Sequence, residues 1–177
     1  INIQNGVETV FPHENYLFMG ANNGMYIYDN SNPSSPSYLS SYEHIRSCDP
    51  VVVQGDFAYV TVRNGRDCGG WLNQLDVVNI SNINNPTVVK EVPMSNPHGL
   101  SVLDKDLFVC EGTNGLKVFD IETANAPTLV SNVGNFQAYD VIAVPSKPLL
   151  LIVGKDGLYQ YERSNPDDLK LLSVLSE

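Results

Sequence analysis

The sequence predicts an all-β protein: a β-propeller of four-stranded antiparallel blades, with four repeats visible and belonging to a larger ring. Three observations predict it. Short apolar runs alternate with turns rich in Asn, Gly and Pro along the whole chain, and no amphipathic helix of useful length interrupts them. The stretch Pro97–Val133 holds four such runs and recurs, with variation, four times. The period is near 42 residues: Pro36 to Pro86 spans 50, Pro86 to Pro127 spans 41, and Pro127 to its counterpart Leu169 spans 42. Four strands at that period are the signature of a propeller blade. A β-sandwich is the competing architecture, but evenly spaced sandwich strands do not require such detailed recurrence.

The third repeat shows the unit most clearly. Leu100–Leu103 is an inner strand, Asp104-Lys105-Asp106 a polar turn, and Leu107–Cys110 a second strand. Gly112–Gly115 is a turn containing Asn-Gly, whose residues tolerate positive φ. Leu116–Asp120 alternates as a third strand, 124–127 is a loop, and Thr128–Val133 is the outer strand. In the first repeat, Gly6–Phe11 is the inner strand and Pro12-His13-Glu14-Asn15 its turn, with His13 a solvated turn residue. Tyr16–Met19, Met25–Asp29 and Tyr38–Tyr42 follow. In the second, 49–53, Phe57–Val62, Gln74–Asn79 and Thr87–Val89 are the strands. In the fourth they are Asp140–Val144, Leu149–Val153, Leu158–Glu162 and Leu169–Val174. Every third strand ends in an apolar residue followed by an acid or amide: Tyr28-Asp29, Val78-Asn79, Phe119-Asp120 and Tyr161-Glu162.

These elements place the blades at about 5–43, 48–93, 97–134 and 138–176, with residues 1–4 as the tail of a preceding blade's strand, since Ile1-Asn2-Ile3 aligns with Val92. At least one further blade is expected upstream. A closed four-blade ring whose first residues support the last blade is the alternative. The chain does not begin with Met and shows no signal peptide, which fits a processed product or a fragment.

The one departure from the repeat is the insertion 63–73, which replaces a tight turn with a loop of about ten residues. It contains Arg63, Arg66, Cys68 and the single Trp, Trp71. Arg63, Arg66 and Trp71 are read as ligand or partner contacts; a surface loop pinned by a disulfide is the structural alternative.

A net charge of −10, with no basic patch, argues against a nucleic-acid partner. An acidic surface serves solubility and, in places, cation binding. No run of about 18 apolar residues is present, so no transmembrane span is expected in this chain. There is no GxSxG elbow, no HExxH, no phosphate loop before a helix and no sialidase-type Asp box, so no catalytic residue is assigned. Asn79-Ile80-Ser81 is a glycosylation sequon to which no role is given.

Five segments carry a family resemblance: Cys48-Asp49-Pro50-Val51, Asn73–Val78, Asn96–Leu100, Gly115–Asp120 and Asp156–Tyr161. On these the chain resembles LVIVD-repeat proteins over essentially its whole length. The resemblance implies a bacterial surface or outer-membrane lipoprotein with a β-propeller fold. It implies extracytoplasmic localisation and a lipid anchor upstream of this chain, but no established activity.

Three cysteines are present. In a blade, the connection into the inner strand and the loop after the second strand lie on one face. Cys48 and Cys68 occupy those two places in one blade, so a disulfide between them is expected, closing about 20 residues for a gain of about 3 kcal/mol. An oxidising compartment fits the surface reading. Cys110 ends a second strand and is read as a buried apolar thiol. No CxxC spacing supports a cysteine metal site.

Aligning inner strands puts Asp49, His98 and Asp140 at equivalent positions, each at a strand entry beside the central funnel. Two carboxylates and an imidazole there would take a divalent cation or a polar ligand, and no other cofactor is expected. The alternative is structural, with such residues capping backbone groups and holding blades in register. The functional expectation is a non-catalytic interaction module, a subunit of an outer-membrane or cell-surface assembly whose partners are other surface proteins. A glycan- or metal-binding propeller is the alternative, and a funnel-based enzyme the third reading.

Overall fold

A computed structural model of the chain describes residues 6–43, 50–64 and 71–176. Among them are sixteen strands and no helix. Blade 1 holds β1 (Val7–His13), β2 (Tyr16–Ala21), β3 (Gly24–Asp29) and β4 (Ser37–Glu43). Blade 2 holds β5 (Val51–Gln54), β6 (Phe57–Val62), β7 (Gln74–Asn79) and β8 (Thr87–Pro93). Blade 3 holds β9 (Leu100–Leu103), β10 (Asp106–Cys110), β11 (Leu116–Asp120) and β12 (Thr128–Val133). Blade 4 holds β13 (Ala138–Val144), β14 (Leu149–Gly154), β15 (Gly157–Glu162) and β16 (Lys170–Leu175). Each blade is one antiparallel sheet whose strands pair in chain order, which is the propeller meander. The chain divides after Pro93 into two compact units, one holding blades 1 and 2 and the other blades 3 and 4.

Two turns differ from the sequence expectation. Pro12 and His13 belong to β1, and the turn is Glu14-Asn15, with Glu14 at φ +51°. Proline is tolerated there because β1 is an edge strand and its missing N–H costs no ladder bond. His13 is therefore not a solvated turn residue; it is half-buried with its ring edge-on to Phe18 at 6.3 Å. Asp106 likewise belongs to β10 and is buried, the turn being Asp104-Lys105 with Asp104 at φ +56°.

The acid or amide that ends each third strand is a local cap. Asp29 Oδ1 accepts from the Ser31 N–H at 2.8 Å and from its hydroxyl, and Asn79 Oδ1 does the same with Ser81 at 2.9 and 2.7 Å. Asp120 accepts from the Glu122 N–H at 2.7 Å, and Glu162 from the Ser164 N–H at 3.2 Å. Such side chains satisfy backbone donors that the ending ladder leaves open. The Asn79 amide of the sequon is engaged in this way. The third strand also begins alike in blades 1, 3 and 4. Gly24, Gly115 and Gly157 have φ of +140°, +78° and +129°, and a Cβ at any of them would overlap the carbonyl oxygen of Tyr42, Val133 or Leu175.

Within each unit the two blades share an apolar seam. In the first, Phe18, Met25 and Ile27 of blade 1 meet Val51, Val53, Ala58, Val60 and Val78 of blade 2. In the second, Phe108, Cys110, Leu116 and Val118 of blade 3 meet Val141, Ala143, Leu150, Ile152, Tyr159 and Tyr161 of blade 4. Tyr159 and Tyr161 thus pack between blades, with Phe136 against both rings. Tyr26 instead hydrogen-bonds Asn23 at 2.7 Å. Polar stitches line the same seams. Ser40 Oγ donates to the Ile83 carbonyl at 2.5 Å, and at the equivalent position Ser131 Oγ donates to the Pro166 carbonyl at 2.7 Å. The Val51 N–H donates to Thr9 Oγ1 at 3.1 Å and the Ala143 N–H to Ser101 Oγ at 3.0 Å.

Candidate functional site

The chemistry-bearing side chains of the second unit gather where the chain enters β9 and β13 and leaves β10. The His98 N–H donates to the Cys110 carbonyl at 2.8 Å, and the Cys110 N–H donates to the Gly99 carbonyl at 2.9 Å. The Gly99 N–H donates to the Tyr139 carbonyl and the Ala138 N–H to the Gly112 carbonyl, both at 2.9 Å, which ties the two inner-strand entries together. By strand register Leu100 matches Val141, so Asp140, which pairs with Val153, is the counterpart of Gly99, and His98 is the counterpart of Tyr139; the two side chains meet at the mouth from places one residue apart in the repeat. The His98 ring meets Tyr139 edge-on at 5.7 Å. Asp140 Oδ1 sits over the Cα of Gly99, where a Cβ would overlap it, and a Cβ at Gly112 would come 3.2 Å from His98 Nε2. Both glycines are there so that these side chains can lie on bare backbone.

The electrostatics of this mouth run against proton transfer by its thiol. Burial pushes the Cys110 thiol well up, and the nearby Asp140 carboxylate pushes it further in the same direction. Cys110 is fully buried and free, as expected of an apolar thiol. Asp140 is exposed at its edge, yet partial desolvation raises its carboxyl pKa against the opposing 2.9 Å hydrogen bond from the Val141 N–H. Among the described residues, no three His, Cys, Asp or Glu side chains form a cluster suited to a metal ion. Asp49, the third residue of the expected funnel set, lies outside the described residues.

The sequence reading missed the strongest polar contact here. Glu111 is completely buried; the Ser95 N–H donates to its two oxygens at 3.0 and 3.3 Å, and Lys117 Nζ lies 3.4 Å from Oε2. Its counterparts in the other blades are Ala21, Val62 and Gly154, so the repeat marks the position as apolar. Lys117 falls in a column with Tyr26, Asp76 and Tyr159, a third-strand position that carries an aromatic, an acid or a base according to the blade. In blade 2 that residue is Asp76, completely buried, accepting from Tyr42 Oη at 2.9 Å and Gln74 Nε2 at 2.6 Å. That column was the signal available in the sequence.

At the opposite end of β10, Asp104–Asp106, Pro145–Pro148, Arg163, Ser164 and Pro166 line a cleft of about 500 Å³. Burial raises the pKa of Asp106 there, against the pull of Arg163 and Lys105.

The insertion in blade 2 is described at its two feet. Arg63 is half-buried, and the Asn64 N–H donates to Asn73 Oδ1 at 3.0 Å, closing the base. Trp71 is 91% exposed and Leu72 51%. Arg66, Cys68 and Cys48, and with them the expected disulfide, lie outside the described residues, as do residues 1–4. Among the described residues no helix is long and apolar enough to cross a membrane.

Solved structures share the fold at low identity. A functionally unknown protein from Desulfotomaculum acetoxidans DSM 771 is 10% identical with a TM-score of 0.79, the match covering 99% of this chain and 58% of that one. Apo AztD from Citrobacter koseri is 12% identical with a TM-score of 0.67, covering 95% and 47%. The computationally designed Ika4 protein is 12% identical with a TM-score of 0.65, covering 98% and 94%. The chain therefore spans about half the length of these two natural structures. No curated protein matches it. The LVIVD repeat matches residues 8–44 and 45–93, which are blades 1 and 2, so the first half of the chain carries two LVIVD repeats on a fold of the β-propeller class.

Proposed function

We propose that this chain is a non-catalytic interaction module, and that the insertion of blade 2 docks a protein partner within a bacterial outer-membrane or cell-surface assembly. The observation that carries the reading is Trp71. The single tryptophan of the chain stands 91% exposed, beside the exposed Leu72, on the one segment that breaks the repeat. Large aromatic side chains are usually well buried, and exposed ones on a scaffolded loop supply most of the energy of a protein contact. The mouth of blades 3 and 4 supports a structural rather than catalytic use of its polar groups: Glu111 is neutralised by Lys117, and the Cys110 thiol is held protonated. The resemblance to surface lipoproteins supports the extracytoplasmic location.

The test uses the wild-type chain and its Trp71→Ala/Leu72→Ser variant as immobilised baits against detergent-solubilised bacterial envelope proteins. The wild type is expected to retain one partner in stoichiometric amount, and the variant to lose it while melting at the same temperature. Recovery of the same proteins by both baits, or of none by either, would sink the proposal.

A further inference from the structure

We propose that the cleft between blades 3 and 4, at the end of β10 away from the mouth, binds a small oxyanion that also carries an O–H group, the chemistry shared by hydrogenphosphate and a hydroxycarboxylate. Every wall of the cleft belongs to the second unit, and its volume of about 500 Å³ is that of a small-molecule pocket. Arg163 is its central residue. The residue that follows each third strand is Asn30, Ile80, Ile121 and Arg163 in turn. Its N–H donates to a carbonyl of the turn between the first two strands, that of Asn15, Asp56, Lys105 or Pro148, at 2.7, 2.9, 2.8 and 2.9 Å. Ile80 and Ile121 are buried, and Ile80 packs in the seam of blades 1 and 2. The residue that enters the seam from the earlier blade changes in step. The first position of the second strand is Tyr16 in blade 1, packed against the same apolar cluster, and Asp106 in blade 3. Blades 3 and 4 thus set Asp106 and Arg163 where blades 1 and 2 set Tyr16 and Ile80.

This exchange of apolar for charged residues does not close into an ion pair. Among the described residues Arg163 makes no ion pair with Asp106 or any other acid, and its Nε is the one buried side-chain polar atom with no hydrogen-bond partner. A buried donor without an acceptor is costly, and a bound anion meets that demand. Lys147 stands exposed at the same cleft, also without an ion pair among the described residues, while Lys105 is held loosely, 3.7 Å from Asp120 and 4.0 Å from Glu122. In a chain of net charge −10 these are the local cations that draw an anion in. A guanidinium takes a phosphate or carboxylate through two parallel N–H donors. Asp106 adds selection. It is buried and lines the cleft, so a plain anion meets its charge, whereas an O–H group donates to it. Asp104, exposed at the rim, works in the same direction. The walls are already fixed, with the Pro166 carbonyl held by Ser131 Oγ at 2.7 Å and the Arg163 N–H held by the Pro148 carbonyl.

The experiment follows the Arg163 Nε–Hε resonance of the 177-residue chain by nitrogen NMR, assigned through bonds from the Arg163 backbone amide. Inorganic phosphate and glycerate are each titrated from micromolar to millimolar at neutral pH and constant ionic strength. Sulfate and acetate are the probes that lack the O–H. Phosphate, glycerate or both are expected to shift the resonance saturably, with sulfate and acetate at least about tenfold weaker, the worth of one good hydrogen bond. A response to phosphate alone assigns the site to a phosphate group, and one to glycerate alone to a hydroxy acid. Lys147→Gln, at an exposed position and checked for an unchanged melting curve, is expected to weaken binding about tenfold by losing one charge-assisted contact. Asp106→Asn is expected to keep binding but lose the preference over sulfate and acetate, because its amide donates to any of these anions. A resonance that moves with none of the probes, as it would if Arg163 closed on Asp106, overturns the proposal. So does wild type that binds the O–H-bearing and O–H-free anions equally, or a Lys147→Gln variant that binds as wild type does.

Discussion

Replacing Lys117 with Met removes, among the described residues, the ion-pair partner of a fully buried carboxylate while keeping the side-chain volume. Lys117 Nζ lies 3.4 Å from Glu111 Oε2, and only 18% of the Lys117 side chain is exposed. At an effective dielectric of about 20, two unit charges at that separation attract by about 5 kcal/mol. Removing one member of such a pair leaves the other charge buried without its partner and typically costs about 3–5 kcal/mol. The Ser95 N–H remains, so Glu111 keeps its backbone donor. In a chain of this size each kcal/mol lowers Tm by about 2–4 °C, so Lys117→Met is expected to melt about 6–20 °C below wild type. Urea denaturation at neutral pH gives the free energy directly. The double variant Glu111→Gln/Lys117→Met is expected to lose less than the sum of the two single variants by about 1–3 kcal/mol. A cost below about 1 kcal/mol for Lys117→Met, with additive single variants, would refute the reasoning that this pair is a desolvated clasp.

Other expectations follow from the same physical terms. Gly115→Ala must adopt a left-handed backbone and also drive its methyl into the Val133 carbonyl, whereas Gly55→Ala meets only the first cost because nothing lies within 4 Å. Gly55→Ala is expected to lose about 1–2 kcal/mol, and Gly115→Ala clearly more, in parallel urea titrations. Cys110 is expected to resist alkylation by iodoacetamide in the native state and to react at once in denaturant, followed by mass spectrometry; rapid native labelling would contradict its burial. Asp106 has its folded pKa raised, so the folded state binds its proton more tightly and wild-type stability is lost as pH rises through that value. Asp106→Asn is therefore expected to be more stable than wild type at neutral pH, the gap closing as pH falls through the ordinary carboxylate range near about 4. A gap that widened on acidification would reverse the sign and reject the assignment.

Much of the architecture was legible because the repeat is written in backbone chemistry. The Gly at the head of three third strands and the acid or amide at the tail of all four serve the same two backbone needs each time, so they recur and can be read. Pro12-His13 misled because proline usually signals a turn, and only the edge position of β1 makes it harmless inside a strand. Asp106 misled in a similar way, as an Asp beside Asp-Lys reads as solvent-facing while its backbone pairs with Leu103 and Asp120 on both sides. At the mouth, the repeat alignment set His98 against Asp140, whereas strand register matches Asp140 with Gly99 and His98 with Tyr139, a one-residue offset that turn-to-turn spacing does not fix. Glu111 was not legible as a partner of Lys117. Their pairing depends on the carboxylate turning inward beneath the Ser95 segment, and no spacing rule encodes that.

The missing latch in blade 2 has a further consequence. Where blades 1, 3 and 4 pinch the hairpin between second and third strands shut with a glycine against a carbonyl, blade 2 has Gln74, paired with Val62 and Pro93. Strand register there is held by that pairing and by the bond from Asn64 to Asn73, not by the turn itself. The connection is thereby released from the geometry of the repeat. It is a port: the segment between Asn64 and Asn73 can be exchanged or lengthened at the modest entropic cost of a longer loop while the strands beneath keep their places. One scaffold can then present different recognition segments, and selection acting on what is displayed need not disturb what holds it.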